Sequence, residues 1–318
     1  MSIFLSNNIV TLFFIQTILL LFSIYSLFIS LNIIKNWDFN KTTSYQYNLE
    51  KKSYLISLII FFVIFVKIIL FIFFVNSLDG LSSIVPGAMC ASGIINANEY
   101  GTILLFFKIF VLAGFGIWLV LNKLDIEALD YPYLVKKYYL FLVLFLSIVI
   151  EFVLEFLYFT NISIKRPVLC CSAVFQDTQG FASMMKIEYI LILFYINYIA
   201  LIISNVMKNS LTSLLSGALF LVLSYFSIVY FFGTYIYELP THKCPFCMLQ
   251  EEYFYIGYII WITMFLAVFF SISSFIIEKF IKKEYNGGYK LSIIFSTIFV
   301  LLCSYYVLAY YITNGVFL

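Results

Sequence analysis

Residues 54–76 read YLISLIIFFVIFVKIILFIFFVN, a run in which Lys67 is the only charged side chain. A helix needs about 20 apolar residues to cross a bilayer core of roughly 30 Å. The run therefore predicts a membrane-spanning helix. Seven more runs have the same character, at 9–34, 102–122, 138–160, 187–207, 211–236, 248–277 and 291–313. Across the 318 residues, 64% are hydrophobic and only 11% charged, too little polar surface for a water-soluble globule. The sequence reads as an all-α polytopic membrane protein of eight transmembrane helices, a single integral-membrane helical domain over 1–318. The first run lacks a basic flank and a small-residue cleavage site before it, so it reads as a retained helix. Between the fifth and sixth runs only MKNS (207–210) intervenes, which predicts a tight helical hairpin.

Cytoplasmic loops of membrane proteins carry an excess of Lys and Arg. With the N-terminus outside, the cytoplasmic connections hold Lys35, Lys41, Lys51, Lys52, Lys123, Lys136, Lys137, Lys208, Lys279, Lys282, Lys283 and Lys290, against Lys165, Arg166, Lys186 and Lys243 on the other face. Both termini are thus expected to be extracytoplasmic, and the outer loops 77–101, 161–186 and 237–247 carry Cys90, Cys170, Cys171, Cys244 and Cys247. The first two loops mix apolar with small residues and read as a cap packed over the helices. Loop 77–101, free of Lys and Arg, reads as ordered and partly re-entrant. Arg166 is the sole arginine among abundant Ile, Asn, Lys and Phe, a composition expected of an AT-rich bacterial genome and hence of the inner membrane. The basic residues form no patch, so nucleic acid is not an expected partner; membrane lipid is.

The richest chemistry lies in THKCPFCMLQEEYFYIGY (241–258). Proline suits the first position of a helix, so Pro245 makes Cys244 the expected N-cap of the seventh span and Cys247 its third residue. A thiolate there is favoured by unpaired N–H groups and the helix dipole, and C-x-x-C spacing lets two sulfurs join. Lys243 and a protonated His242 add to that effect. At helical spacing Glu251 shares a face with both cysteines, in position to exchange a proton. Interfacial hydration of Glu251 and Glu252 is the plainer alternative.

Further ionisable residues fall inside the apolar runs or at their ends. Glu151 and Glu155 stand four apart in the fourth, Lys108 lies in the third, Lys67 in the second, and Glu188 opens the fifth. Such groups are costly in lipid and face a bundle interior, one another or a cavity. Lys108 is expected to pair with Glu155 or Glu151, and Lys67 to need a carboxylate. Cys90, in PGAMCASG, and the adjacent Cys170 and Cys171 suit a relay or structural disulfide, with the pairing left open. Cys303, within LLCSYY, reads as a small buried hydrophobe.

The CPFC motif at Cys244 and Cys247, together with loop cysteines on the same face, resembles two families of membrane thiol oxidoreductases, the DsbB-type enzymes and vitamin K epoxide reductase with its bacterial relatives. The resemblance covers about fifteen residues plus topology, and those families are built on a four-helix core where this chain has eight spans. It implies a thiol-disulfide oxidoreductase in which the C-x-x-C pair exchanges electrons with a membrane quinone, while Cys90 with Cys170 or Cys171 relays them from a periplasmic thiol protein. Cys244 would be the nucleophile and Cys247 its resolving partner.

Two other classes fit the same residues. A soft-metal transporter or metal-insertion protein would use Cys244, Cys247, His242 and Met248, with Cys90, Cys170, Cys171, Met89, Met184 and Met185 as further thiophilic ligands. A structural subunit of a membrane complex would use the cysteines only to staple its cap. The single histidine excludes bis-histidine haem ligation, and no phosphate-binding glycine loop, nucleophile elbow or zinc-protease motif occurs.

Overall fold

A computed structural model describes residues 6–39, 43–128, 130–164, 167–168 and 186–318. Among the described residues the chain forms α1 (Asn7–Asn36), α2 (Ser44–Leu81), the short α3 (Ala91–Ile95), α4 (Glu99–Glu127), α5 (Leu134–Thr160), α6 (Ile187–Val206), α7 (Ser210–Tyr237), α8 (Ile256–Ile281) and α9 (Asn286–Asn314), with no β-strand. All but α3 are long and apolar enough to cross a membrane. The protein is an all-α, multi-pass membrane protein. Seven of the eight predicted runs lie inside these helices, one overrunning by a single residue, and the helices extend up to ten residues beyond them; the seventh run, expected from 248, begins as a helix only at Ile256.

The helices are inverted relative to those of a soluble protein. Phe14, Phe28, Phe106 and Leu146 point outward, whereas Gln16, Ser23, Ser26 and Ser30 of α1 are buried. Lipid tails accept the large apolar groups, so helices associate through small residues and internal polar bonds. Helix starts are set locally: side-chain oxygens of Ser6, Thr43, Asn98 and Asn209 accept amide N–H groups of the first turns of α1, α2, α4 and α7.

The chain divides into two compact units, 1–168 and 169–318, where the sequence reads as one domain. In the first, α1 packs on α2 and α5, and α4 lies along α5. Ile60, Ile64, Val111, Phe115, Trp118, Phe141, Leu144 and Ile148 belong to its core. At Gly114 the helices approach closely: a Cβ there would sit 2.5 Å from Leu144 Cδ2. A buried ion pair, Lys137 Nζ to Asp125 Oδ2 at 2.8 Å, ties the start of α5 to the end of α4, and Asp125 also accepts the Tyr133 amide. At the opposite end Asn98 donates to the Tyr158 carbonyl and the Tyr158 hydroxyl to that of Ile94, holding buried α3 in place. The expected loop 77–101 is thus an ordered connection of 82–98, because α2 extends to Leu81 and α4 begins at Glu99.

In the second unit α6 and α7 form the expected hairpin through 207–209, and α8 and α9 form another. Serine and glycine make their contacts. Gly217 packs on Ser271 and Gly288 on Ser274, while Ser213 donates to Asn205, whose amide donates to Ser292. Phe194, Phe220 and Phe299 fill the adjoining layer, with Phe194 and Phe220 stacked at 5.7 Å. A π-helical turn at Ile228–Phe232 carries α7 toward the site below.

Candidate functional site

The CPFC segment is not the first turn of α8. Cys244 is irregular, Pro245 and Phe246 form a turn, Cys247–Leu249 and Glu251–Tyr253 are two separate 3-10 turns, and Phe254 and Tyr255 both adopt left-handed backbone, with φ of 53° and 56°. The expected placement of Cys244 at an N-cap, Pro245 at the first helical position and Cys247 two residues further on is therefore corrected: Tyr255 precedes α8. The outer loop expected at 237–247 runs on to that residue.

Two contacts explain the difference. A Cβ on Gly257 would lie 2.7 Å from the Met248 carbonyl oxygen, so the chain folds back directly onto the first turn of α8. Tyr237, the last residue of α7, donates its hydroxyl to the Cys244 carbonyl and accepts the Met248 N–H at 3.0 Å. One phenol thus clasps both ends of the cysteine pair. His242 meets the Tyr237 ring edge-on at 4.5 Å between centroids and Tyr253 does so at 4.8 Å, while Trp261 Nε1 donates to the Pro245 carbonyl at 3.3 Å.

Within this aromatic enclosure Cys244, Cys247 and Met248 are buried, and the two sulfurs lie within 4.8 Å of each other. Glu251 does not share their face; it is exposed on the second 3-10 turn, as is Glu252. Partial burial, then the neighbouring Cys247 and Glu252, push the Tyr253 phenol above its usual range. Lys243 lies 5.3 Å over the Tyr230 ring. His242 is partly buried and its Nε2 has no hydrogen-bond partner among the described residues.

No protein-family model, no curated protein and no solved structure matches the chain.

In the first unit the intramembrane charges meet. Lys67 Nζ is 2.7 Å from Glu151 Oε2, and Lys108 Nζ is 3.0 Å from Glu151 Oε1 and 2.9 Å from Glu155 Oε2. All four side chains are buried, and Gln16 Nε2 donates to Glu151 at 3.2 Å. Register brings them together. Gln16, Lys108 and Glu151 each lie nine residues from the end of their helix on one side of the unit, at Asn7, Glu99 and Thr160, which at 1.5 Å per residue is about 14 Å deep. Lys67 reaches the same level from the longer α2.

The remaining candidates are placed as follows. Glu188 is exposed in the first turn of α6, Cys90 is buried at the N-cap of α3, and Cys303 is a buried free thiol in α9. Cys170 and Cys171 lie outside the described residues, as do Met184 and Met185. Sequence reasoning missed Tyr237 and Gln16. Gln16 carries a signal, being the one amide in the middle of the first apolar run; Tyr237 carries none, because tyrosine is common throughout the chain.

Proposed function

We propose that the protein is a membrane thiol-disulfide oxidoreductase whose exchanging pair is Cys244 and Cys247. The observation that carries this reading is the proximity of the two sulfurs in a buried aromatic pocket. A thiolate of a periplasmic partner dithiol attacks the Cys244–Cys247 disulfide and forms a mixed disulfide. The partner's second thiolate displaces it, leaving the partner oxidised and Cys244 and Cys247 as thiols, with two electrons and two protons gained. Transfer of these to a membrane quinone yields quinol and restores the Cys244–Cys247 bond. In the reverse half-reaction Cys244 is the nucleophile and Cys247 resolves.

The helix-dipole activation expected from sequence is not part of this proposal, because neither cysteine caps a long helix. Lys243 and His242 flank Cys244 in sequence and supply the nearby positive charge and a titratable ring. Both sulfurs are buried, so a protein partner reaches them only when the 238–255 segment shifts. The proposed setting is the bacterial inner membrane with both termini and this segment extracytoplasmic, as the lysine distribution supports. Cys90, with Cys170 or Cys171, is the proposed relay. Thiol mapping by mass spectrometry tests the core claim: quinone should convert Cys244 and Cys247 from alkylatable thiols to one disulfide, and Cys244→Ser should abolish turnover. Full activity in that variant refutes the assignment.

A second reading rests on the same proximity, since two buried thiolates next to Met248 also suit a soft metal ion. Stoichiometric copper or zinc in protein purified under reducing conditions would favour it.

A further inference from the structure

Of the two carboxylates in this buried charge cluster, Glu151 is compensated by two lysines and an amide, whereas Glu155 has, among the described residues, Lys108 alone. Glu155 Oε1 has no hydrogen-bond partner among the described residues, and neither has Gln16 Oε1, although Glu155 is fully buried and Gln16 nearly so. Buried polar atoms are nearly always satisfied, so these two acceptors beside a charged cluster have capacity for a further donor. Beside Gln16 lies a cavity of about 10 Å³ lined also by Lys67, Lys108 and Glu151, and Lys108 connects it to Glu155. That is room for about one water, and its wall offers the polar partners a buried water requires.

We infer that α1, α2, α4 and α5 enclose an intramembrane proton-binding site in which Glu155 takes up and releases a proton by way of Lys108 and a water in this cavity. Lys108 both lines the cavity and bonds to Glu155 Oε2. It passes a proton to that oxygen as it receives one from the hydrated cavity, so that one hydronium and one carboxylate become one water and one carboxylic acid. With all four groups ionised the quartet is neutral; after uptake Lys67 and Lys108 share Glu151. Phe74 supports Lys108 in that state, its ring 4.8 Å from Nζ. Among the described residues no other titratable side chain enters the quartet: α1 contributes neutral Gln16, and α3 contains no ionisable residue. The inference is independent of the cysteine reading and goes beyond it.

Infrared difference spectroscopy on the full chain in lipid, with pH stepped from alkaline to acid, tests it. Wild-type protein should develop a carboxylic-acid C=O band that titrates apart from that of the exposed carboxylates. The band should be lost in Glu155→Gln and shifted in Glu155→Asp, while exposed Glu188→Gln leaves it in place. A spectrum in which Glu155 stays a carboxylate at every pH where the protein remains folded overturns the proposal and leaves the quartet as a structural staple. If neither Glu155 variant folds, the titration of wild type beside Asp125→Asn decides: a separately titrating band that persists in Asp125→Asn supports the site, and its absence from either protein overturns it.

Discussion

The hydroxyl of Tyr237 is hydrogen-bonded to the backbone carbonyl of Cys244 across the loop that separates α7 from the cysteine pair, and the same oxygen accepts the amide of Met248. A side chain at the end of one membrane helix thereby sets the conformation of the segment that precedes the next. Because both backbone groups are bonded to it in a buried environment, its removal leaves them with nothing in exchange.

Tyr237→Phe keeps the ring and removes the clasp. Leaving buried partners unsatisfied costs about 1–3 kcal/mol, so the thermal midpoint in detergent should fall, and Cys244 and Cys247 should alkylate faster than in wild type. Unchanged alkylation kinetics would mean that the loop holds its shape without this phenol.

Gly257→Ala drives a methyl group into the Met248 backbone, which helix and turn cannot both yield to. Overpacking of this kind costs about 1–3 kcal/mol. Gly287→Ala serves as the comparison, since its nearest neighbour would be the Tyr285 ring at 3.5 Å, an ordinary contact. Equal stability of the two variants would contradict the close approach at Gly257.

The Asp125–Lys137 pair should reveal itself by asymmetry. Lys137→Met strands a buried carboxylate and should destabilise the protein by about 3–5 kcal/mol, with much of the loss recovered in the double variant with Asp125→Asn. Lys123 and Glu127 are exposed and 3.9 Å apart, and Lys123→Met should change stability by no more than about 0.5 kcal/mol. Chemical denaturation of the four proteins in one detergent makes the comparison; a double variant no more stable than Lys137→Met would argue against a coupled pair.

Orientation in the membrane is open to direct labelling. Glu238 and Lys283 are both exposed, at the ends of α7 and α8. In intact cells an impermeant maleimide should modify Glu238→Cys above the wild-type background, and Lys283→Cys only after permeabilisation. The opposite pattern would place the cysteine pair on the cytoplasmic face and remove the oxidising compartment that the redox proposal needs.

Membrane architecture was legible in the sequence because a span is a local property: some twenty consecutive apolar residues suffice, whatever they pack against. The α6–α7 hairpin was readable for the same reason, since MKNS leaves no room for anything longer. The charge quartet was legible in part. A buried lysine requires a carboxylate, so the Lys108 pairing followed from cost alone, whereas Lys67 and Lys108 sharing Glu151, with Gln16 beside them, depends on the matching depths of four helices.

The C-x-x-C segment shows where local reasoning ended. Pro245 is a good helix opener, and propensity carried α8 back to it; Gly257 against Met248 and the clasp from Tyr237 overrode that preference and postponed the helix to Ile256. Apolar length, summed over neighbouring residues, determined from sequence the eight helices that, among the described residues, are long and apolar enough to cross a membrane. Which side chains face the paired sulfurs, and which carboxylate is left under-compensated, was decided only by contacts between residues distant in sequence, because close packing and hydrogen-bond satisfaction are properties of the assembled helices.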